Sequence, residues 1–303
     1  MQKQIFKVDE DDSNIRLDNY LSAVFDSYSR TKLQNLIKQS KVIVNGKTCK
    51  PSLVLRVDDD IICDFTEAEP TIEPENIELE VVLDNENFAI INKPSGMLTH
   101  PTSKEKSGTL VNALLYKYGE NLSDLNGKYR RGIIHRLDRN TSGLLIVAKN
   151  NFAHEKLAGM IKDRLIEKHY LTIVRGQINS NLTISEPIGR SKSNPTKMCV
   201  TPDGKPSVTE IKILEQFDDA TYIDVNLKTG RTHQIRVHLS SIGHPVYNDT
   251  LYGFGKMKIK TDEQVLQSYK LKFEDPFNHT NIDIEIEPDD KIKKVLQYLR
   301  EKK

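Results

Sequence analysis

Residues 132–149, GIIHRLDRNTSGLLIVAK, set one carboxylate, Asp138, among three basic side chains, His135, Arg136 and Arg139. A single acid surrounded by cations can serve as a nucleophile or as a charge-stabilising group, because nearby positive charge favours the carboxylate over the acid. The same pattern on an open surface would merely neutralise its arginines, so the flanking residues decide. Leu144 to Ala148 is an apolar run of strand length, and Gly132 to Ile134 reads as the end of another strand. The polar loop between them then falls at a strand end, where binding and catalytic residues tend to gather.

The elements that would hold this loop are those of an α+β domain over residues 77–303, built on a mainly antiparallel mixed sheet. Phe88 to Asn92 reads as a strand running into the turn Lys93-Pro94-Ser95-Gly96, and Leu110 to Tyr118 as a helix ended by Gly119. A helix is expected from about Asn151 to Ile166, with Ala153, Leu157, Met160, Ile161 and Leu165 inward. Lys168 to Val174, Val208 to Phe217, Tyr222 to Leu227, Tyr269 to Phe273 and Ile282 to Ile286 are strands by alternation. Thr232 to Ile242 fits a helix with Ile235, Leu239 and Ile242 inward and Gly243 as its stop, which puts Arg231 at an N-terminus suited to an anion. Ile292, Val295, Leu296 and Leu299 mark a last helix.

Residues 13–65 read as a small domain of their own. Leu17, Tyr20, Leu21, Val24 and Phe25 share a helix face that Ser13 or Asn14 could cap, and Ser29 could cap a second helix carrying Leu33, Leu36 and Ile37. Val42 and Val44 then alternate into Asn45-Gly46, a hairpin turn. From Ser27 to Val57 there are seven basic residues (Arg30, Lys32, Lys38, Lys41, Lys47, Lys50, Arg56) and no acid. An acidic linker is expected over residues 66–76.

The chain has 303 residues, 29% charged and 37% hydrophobic, which suits a folded protein of about two domains. Its formal net charge of +1 hides the local basic patch, and it is the patch that a phosphate would meet. The start, MQKQIFKVDEDD, lacks an apolar segment of signal-peptide length, and no run is long enough for a membrane span, so a cytoplasmic protein without a membrane partner is expected. Cys49, Cys63 and Cys199 form no C-x-x-C pair, and His233 and His238 are spaced for neither one strand face nor i,i+4 on a helix, so no metal site is expected. The H-R-D catalytic loop of protein kinases is excluded, because the Asp comes one place later here and neither G-x-G-x-x-G nor D-F-G is present. There is likewise no Gly-rich cofactor loop of a methyltransferase and no H-x-E with P-C-x-x-C of a deaminase.

HRLDRNTSG at 135–143, followed by its apolar strand, resembles the signature of the RluA/RluC/RluD-like pseudouridine synthases. Lys168-His169-Tyr170 is similar to that family's Lys-x-Tyr strand, and KTGRTHQIRVH at 228–238, with Gly243-His244-Pro245, to its third motif. The two helices and V-N-G-K hairpin of residues 13–65 resemble an RNA-binding domain of the ribosomal-protein-S4 type. The resemblance implies a cofactor-free isomerase acting on structured RNA, ribosomal RNA of the large subunit in first place and transfer RNA in second, and a monomer is expected. By the same resemblance Asp138 is the essential residue, Arg231 its ion-pair partner, Tyr170 the residue packing on the target base, and Arg136 the side chain that fills the gap left by a flipped-out uridine. His135, Arg139, Lys168, His233 and Arg236 are further candidates for holding substrate. Arg16, Arg30, Lys32, Lys38, Lys41 and Lys47 are candidate phosphate contacts. Taken without the motif, Tyr170 on an alternating strand reads first as plain core, the other reading of Arg231 is a phosphate contact, and a salt bridge from Arg136 to Asp138 would need a turn to close it. A catalytically silent RNA-binding or assembly factor is the competing reading.

Overall fold

The computed structural model describes residues 4–302, apart from 11, 26–27, 29, 66–70, 103, 195, 254–258, 260 and 262. The chain divides into two compact units, Met1–Pro70 and Thr71–Lys303.

In the first unit, β1 (Gln4–Lys7) is followed by α1 (Leu17–Val24), α2 (Arg30–Lys38), the hairpin β2 (Val42–Val44) and β3 (Lys47–Thr48), and β4 (Asp60–Cys63). The sheet order is β1-β4-β2-β3, so the unit begins before residue 13: Gln4 to Lys7 pair antiparallel with Asp60 to Cys63. Asn45 and Gly46 both have positive φ, 50° and 74°, as a two-residue hairpin turn with right-handed strand twist requires. Leu17, Tyr20, Leu21, Leu33, Leu36 and Ile37 bury against Val42, Val44 and Ile61. Val24 is 39% exposed, off the predicted inward face. The first cap also differs: Arg16 precedes α1, with no side-chain cap bond, and neither Ser13 nor Asn14 takes that place. Ser29 and linker residues 66–70 lie outside the described residues.

Asp18 organises the two helices. Its side chain is fully buried and receives Arg16 Nε at 3.0 Å, Arg30 Nη2 at 2.9 Å and Gln34 Nε2 at 2.7 Å. Arg16 and Arg30 are therefore tethered on one side while about half exposed on the other. The Arg16 guanidinium, opposed by burial, holds the Asp18 carboxyl well below the usual carboxylate range. A depressed folded-state pKa contributes stability that is present above the unfolded value of about 3.9 and is lost as pH falls toward the folded one. Asp18→Asn is expected to remove about 1.5–3 kcal/mol, read as faster native-state hydrogen exchange across residues 17–38 at pH 7, with the gap to the parent closing in acid.

Among the described residues of the second unit, nine strands form one sheet: β5 (Glu80–Asp84), β6 (Phe88–Lys93), β7 (Ser142–Ala148), β8 (Glu167–Arg175), β9 (Leu182–Ile184), β12 (Thr209–Gln216), β13 (Ala220–Leu227), β14 (Leu266–Glu274) and β15 (Asn281–Glu285). A separate hairpin joins β10 (Ile188–Arg190) and β11 (Met198–Val200). The large sheet runs β5-β6-β7-β14-β8-β13-β12-β9, with β15 on the second half of β14. Every pairing is antiparallel except that of β7 with β14. This is the expected α+β architecture with a mainly antiparallel sheet.

Period-two alternation decides which face each strand residue serves. Ala89 and Ile91 of β6, Leu145 and Val147 of β7, and Tyr170 and Val174 of β8 pack with α3 (Leu110–Tyr118) and α5 (Gln234–Ser241). Phe88, Ile90, Leu144 and Ile146 face the other way, onto α4 (Asn151–Lys162). Leu171 and Ile173 meet α6 (Asp290–Arg300). β7 is buried along its whole length, which is why it reads as an unbroken apolar run rather than an alternating one.

Four expectations shift here. Gly132–Ile134 is not a strand: Ile133 makes an isolated bridge to Val147, and Gly132 turns at φ 72°. α4 stops at Lys162, Arg164 adopts φ 63°, and Leu165 is 60% exposed rather than inward. α5 starts at Gln234, not Thr232, and Ile242 lies beyond its end and is 37% exposed. Residues 71–76 belong to the second unit rather than to a linker: Glu75 exchanges hydrogen bonds with Asn112 and Gly108, and Ile72 packs on the core.

Candidate active site

Asp138 sits in the loop that enters β7, and three anchors shape that loop. Leu137 is buried, and its carbonyl accepts the Thr99 hydroxyl at 2.8 Å. Lys93, fully buried at the end of β6, donates to the carbonyls of Pro94 (2.8 Å), Met97 (2.9 Å) and Arg139 (3.1 Å). Burial, with help from Lys291, lowers the Lys93 ammonium to about 7, so the three carbonyls are what keeps a cation tolerable there. The third anchor is Gly143, at φ 110°, where a Cβ would run into the Ser268 carbonyl of β14. Only glycine lets β7 lie this close to β14 five residues after Asp138.

The carboxylate faces a cleft of ≈ 410 Å³ whose walls include Arg136, Lys168, Tyr170, Arg231, His233 and Arg236. Arg236 Nη1 donates to Asp138 Oδ2 at 2.9 Å. The same guanidinium holds Asp249 two-pronged, Nε to Oδ2 at 2.7 Å and Nη2 to Oδ1 at 2.9 Å. One buried arginine thus bridges a partly exposed carboxylate (20%) and a fully buried one. Asp249 also accepts the backbone N–H groups of Leu251 and Tyr252, and although burial opposes it, Arg236 holds its carboxyl below the ordinary value. The bidentate fork to Asp249 fixes the guanidinium plane and leaves Nη1 aimed at Asp138.

The Arg231 expectation is corrected by this geometry. Arg231 lines the cleft, but its guanidinium donates to the Pro206 carbonyl at 3.3 Å, and the ion-pair partner of Asp138 is Arg236. Because α5 starts two residues late, Arg231 stays in the preceding turn. His233 caps the helix in the left-handed region (φ 56°), and Arg236, three residues on, shares its face toward the loop. Gln234 pins this turn, accepting Arg231 N–H and the Thr229 hydroxyl and donating to the Val208 carbonyl.

The positive surround expected from neighbours in sequence dissolves as well. Arg139 Nη2 is drawn away to Glu105 at 2.6 Å. His135 accepts the Ile146 backbone N–H at 2.9 Å, and burial pushes its imidazole down to about 3, so it is neutral and supports β7. Arg136 is exposed, and among the described residues it forms no ion pair with Asp138 or any other acid. Lys168 is buried in the cleft wall and donates to the Ile166 carbonyl at 3.1 Å. Tyr170 pairs in register with Ser268 and Val225, which turns its ring to the α5 side of the sheet and into the cleft. Burial pushes its phenol up to about 12, so the hydroxyl keeps its proton.

Asp249 and Tyr252 carry no mark that sequence inspection alone picks out, since an acid in a loop is ordinarily solvated. Their signal is indirect. A buried arginine at 236 needs a counter-charge, and Gly243-His244-Pro245 ends a motif only four residues before Asp249.

Known proteins resemble this chain over most of its length. The sequence pattern of the RNA pseudouridylate synthase family matches residues 87–241, and that of the S4 domain matches residues 15–61. A protein of Aquifex aeolicus named as an uncharacterized RNA pseudouridine synthase is 37% identical, covering 98% of this chain and 96% of its own. The ribosomal large subunit pseudouridine synthase D of Escherichia coli K12 is 40% identical over 81% of this chain and 75% of its own. Among solved structures, human RNA pseudouridylate synthase domain containing 1 superposes with a TM-score of 0.57 at 26% identity, over 77% of this chain and 98% of that one. With the family pattern running from β6 through α5, and so through every residue that meets Asp138 except those that brace Arg236 from behind, the chain belongs to the RNA pseudouridylate synthases, enzymes that isomerise uridine in RNA to pseudouridine.

Proposed function

We propose that this chain modifies uridines of large-subunit ribosomal RNA and that Asp138 is the carboxylate on which the isomerisation depends. In the reaction the bond from C1′ to N1 breaks, the uracil turns, C5 bonds to C1′, the C5 proton departs and N1 takes up a proton, so that product and substrate have the same atoms. No electron carrier or phosphate donor takes part. A carboxylate beside sugar and base supplies negative charge, either by attacking or by stabilising the positive charge that develops.

One observation carries the reading. Asp138 points into a cleft of nucleoside size while Arg236, braced by Asp249, meets it from behind at 2.9 Å. That arrangement gives the carboxylate a fixed cationic partner within the cleft it lines. Tyr170 offers its ring from the adjoining wall as the surface on which the base packs. Burial keeps its phenol protonated, so Tyr170 meets the base as a packing surface and not as a ready acceptor of the C5 proton.

A uridine in structured RNA reaches Asp138 only by leaving its stack, at a cost of roughly a few kcal/mol. Arg136 is exposed, has no acidic partner among the described residues, and stands two residues from Asp138, which suits it to enter the vacated place. Arg16 and Arg30, oriented by Asp18, together with Lys32, Lys38, Lys41 and Lys47, would hold phosphates without reading sequence.

The substrate assignment rests on the Escherichia coli relative, a ribosomal large subunit pseudouridine synthase, and on the S4 unit. It is tested by incubating the purified chain with protein-free large-subunit ribosomal RNA and, separately, with unmodified transfer RNA, then mapping pseudouridine in each. New pseudouridine in the ribosomal RNA is expected. Conversion confined to transfer RNA overturns the substrate, and none in either overturns the function.

A further inference from the structure

Beside Asp138 runs a line of contacts that the isomerisation does not by itself demand. Tyr252 accepts the Met198 backbone N–H of β11 at 2.9 Å, and its hydroxyl lies 2.8 Å from His233 Nδ1. The Tyr252 ring carries the Arg236 guanidinium at 5.0 Å and meets the His233 ring edge-on at 5.5 Å. On its far side, His233 Nε2 stands 3.8 Å from Asp138 Oδ2, the oxygen that also receives Arg236.

A phenol has one hydrogen to give. The N–H of Met198 already points at the Tyr252 oxygen, and among the described residues the acceptor within hydrogen-bond distance of that hydroxyl is His233 Nδ1. Nδ1 must then present its lone pair, and the hydrogen of a neutral imidazole moves to Nε2, the nitrogen facing the carboxylate. Both conditions of this argument hold. Burial raises the Tyr252 phenol, so it keeps its proton. Burial lowers His233 below its ordinary value, Arg236 and Arg136 adding to that and Asp138 and Asp249 opposing it. His233 takes the left-handed backbone at φ 56°, a region that histidine enters more readily than most side chains.

We propose that Tyr252 is a positioning residue that fixes His233 as its Nε2–H tautomer, making His233 the second hydrogen-bond donor, after Arg236, to Asp138 Oδ2. At 3.8 Å the contact is too long to be a hydrogen bond, and it closes when a bound nucleoside drives water from the cleft. The inference rests on the reading of Asp138 as the essential carboxylate.

The test separates the two. In the whole chain without RNA, labelled at the histidine ring nitrogens, a long-range proton–nitrogen spectrum at pH 7.5 is expected to show His233 neutral with hydrogen on Nε2, and a mixture of tautomers in Tyr252→Phe. A charged ring or an Nδ1–H tautomer in the parent protein overturns the proposal, whatever Asp138 does in turnover. With saturating RNA, Tyr252→Phe is expected to slow single-turnover isomerisation about tenfold with RNA affinity unchanged. His233→Gln, whose amide nitrogen falls near the place of Nε2, should retain more activity than His233→Asn, whose amide falls near Nδ1. The reverse order overturns the donor role.

Discussion

Asp138→Asn is expected to lose pseudouridine formation by at least about 10⁴-fold in single turnover, an increase of ~5.4 kcal/mol in the barrier, while RNA affinity stays within a factor of about two. The exchange is nearly isosteric, so the cleft keeps its shape. Arg236 keeps both bonds to Asp249, so the scaffold behind the loop stays charged and paired. What disappears is the negative charge, and a carboxamide can neither attack a sugar carbon nor stabilise a developing cation as a carboxylate does. A rate within tenfold of the parent would remove Asp138 from the chemistry and leave the cleft as a binding feature.

The second large effect is structural in origin. Arg236→Met removes the cation shared by two carboxylates, one of them fully buried. Breaking a buried pair from one side costs about 3–5 kcal/mol, because the remaining charge keeps its desolvation penalty without its partner. The pH dependence then changes sign. In the parent, Asp249 has a folded-state value below the unfolded one, so its stabilising share is present above about pH 3.9 and is lost as the pH falls further. In the variant, burial acts on Asp249 without Arg236 to oppose it, its folded value rises above the unfolded one, and the variant grows more stable as pH is lowered from 7.5 to 5.5. Urea unfolding at the two pH values reads this directly. Arg236→Met with Asp249→Asn should recover most of the stability yet stay inactive, separating the ion pair's part in folding from its part in turnover.

How legible this was depended on whether a partner was near in sequence. The loop before β7, the face on which Tyr170 emerges and the helix ended by Gly119 follow from local pattern, since alternation and chain punctuation act over a few residues. The partner of Asp138 did not. The resemblance of the motif at 228–238, which holds two arginines, points to Arg231, and only the folded chain shows that Arg236 is the one that reaches Asp138. Arg139 looked available to Asp138 until Glu105, 34 residues back, claimed it, and His135 looked cationic until Ile146 supplied a hydrogen bond that suits only the neutral ring. Asp249 is a counter-charge 13 residues past Arg236, and nothing in a loop acid's neighbours announces that it is buried.

β14 lies between β7 and β8, yet its residues, Leu266–Glu274, come about a hundred later in the chain. A ribosome releasing this protein from its N-terminus therefore exposes two strands that must wait for the piece that belongs between them. Among the described residues the strands of the first unit are complete by Cys63, so it can settle early, whereas the second has an open seam beside β7 until Leu266–Glu274 has been made. Nascent chains halted before residue 266 should engage holding chaperones, because β7 and β8 still lack the strand that joins them.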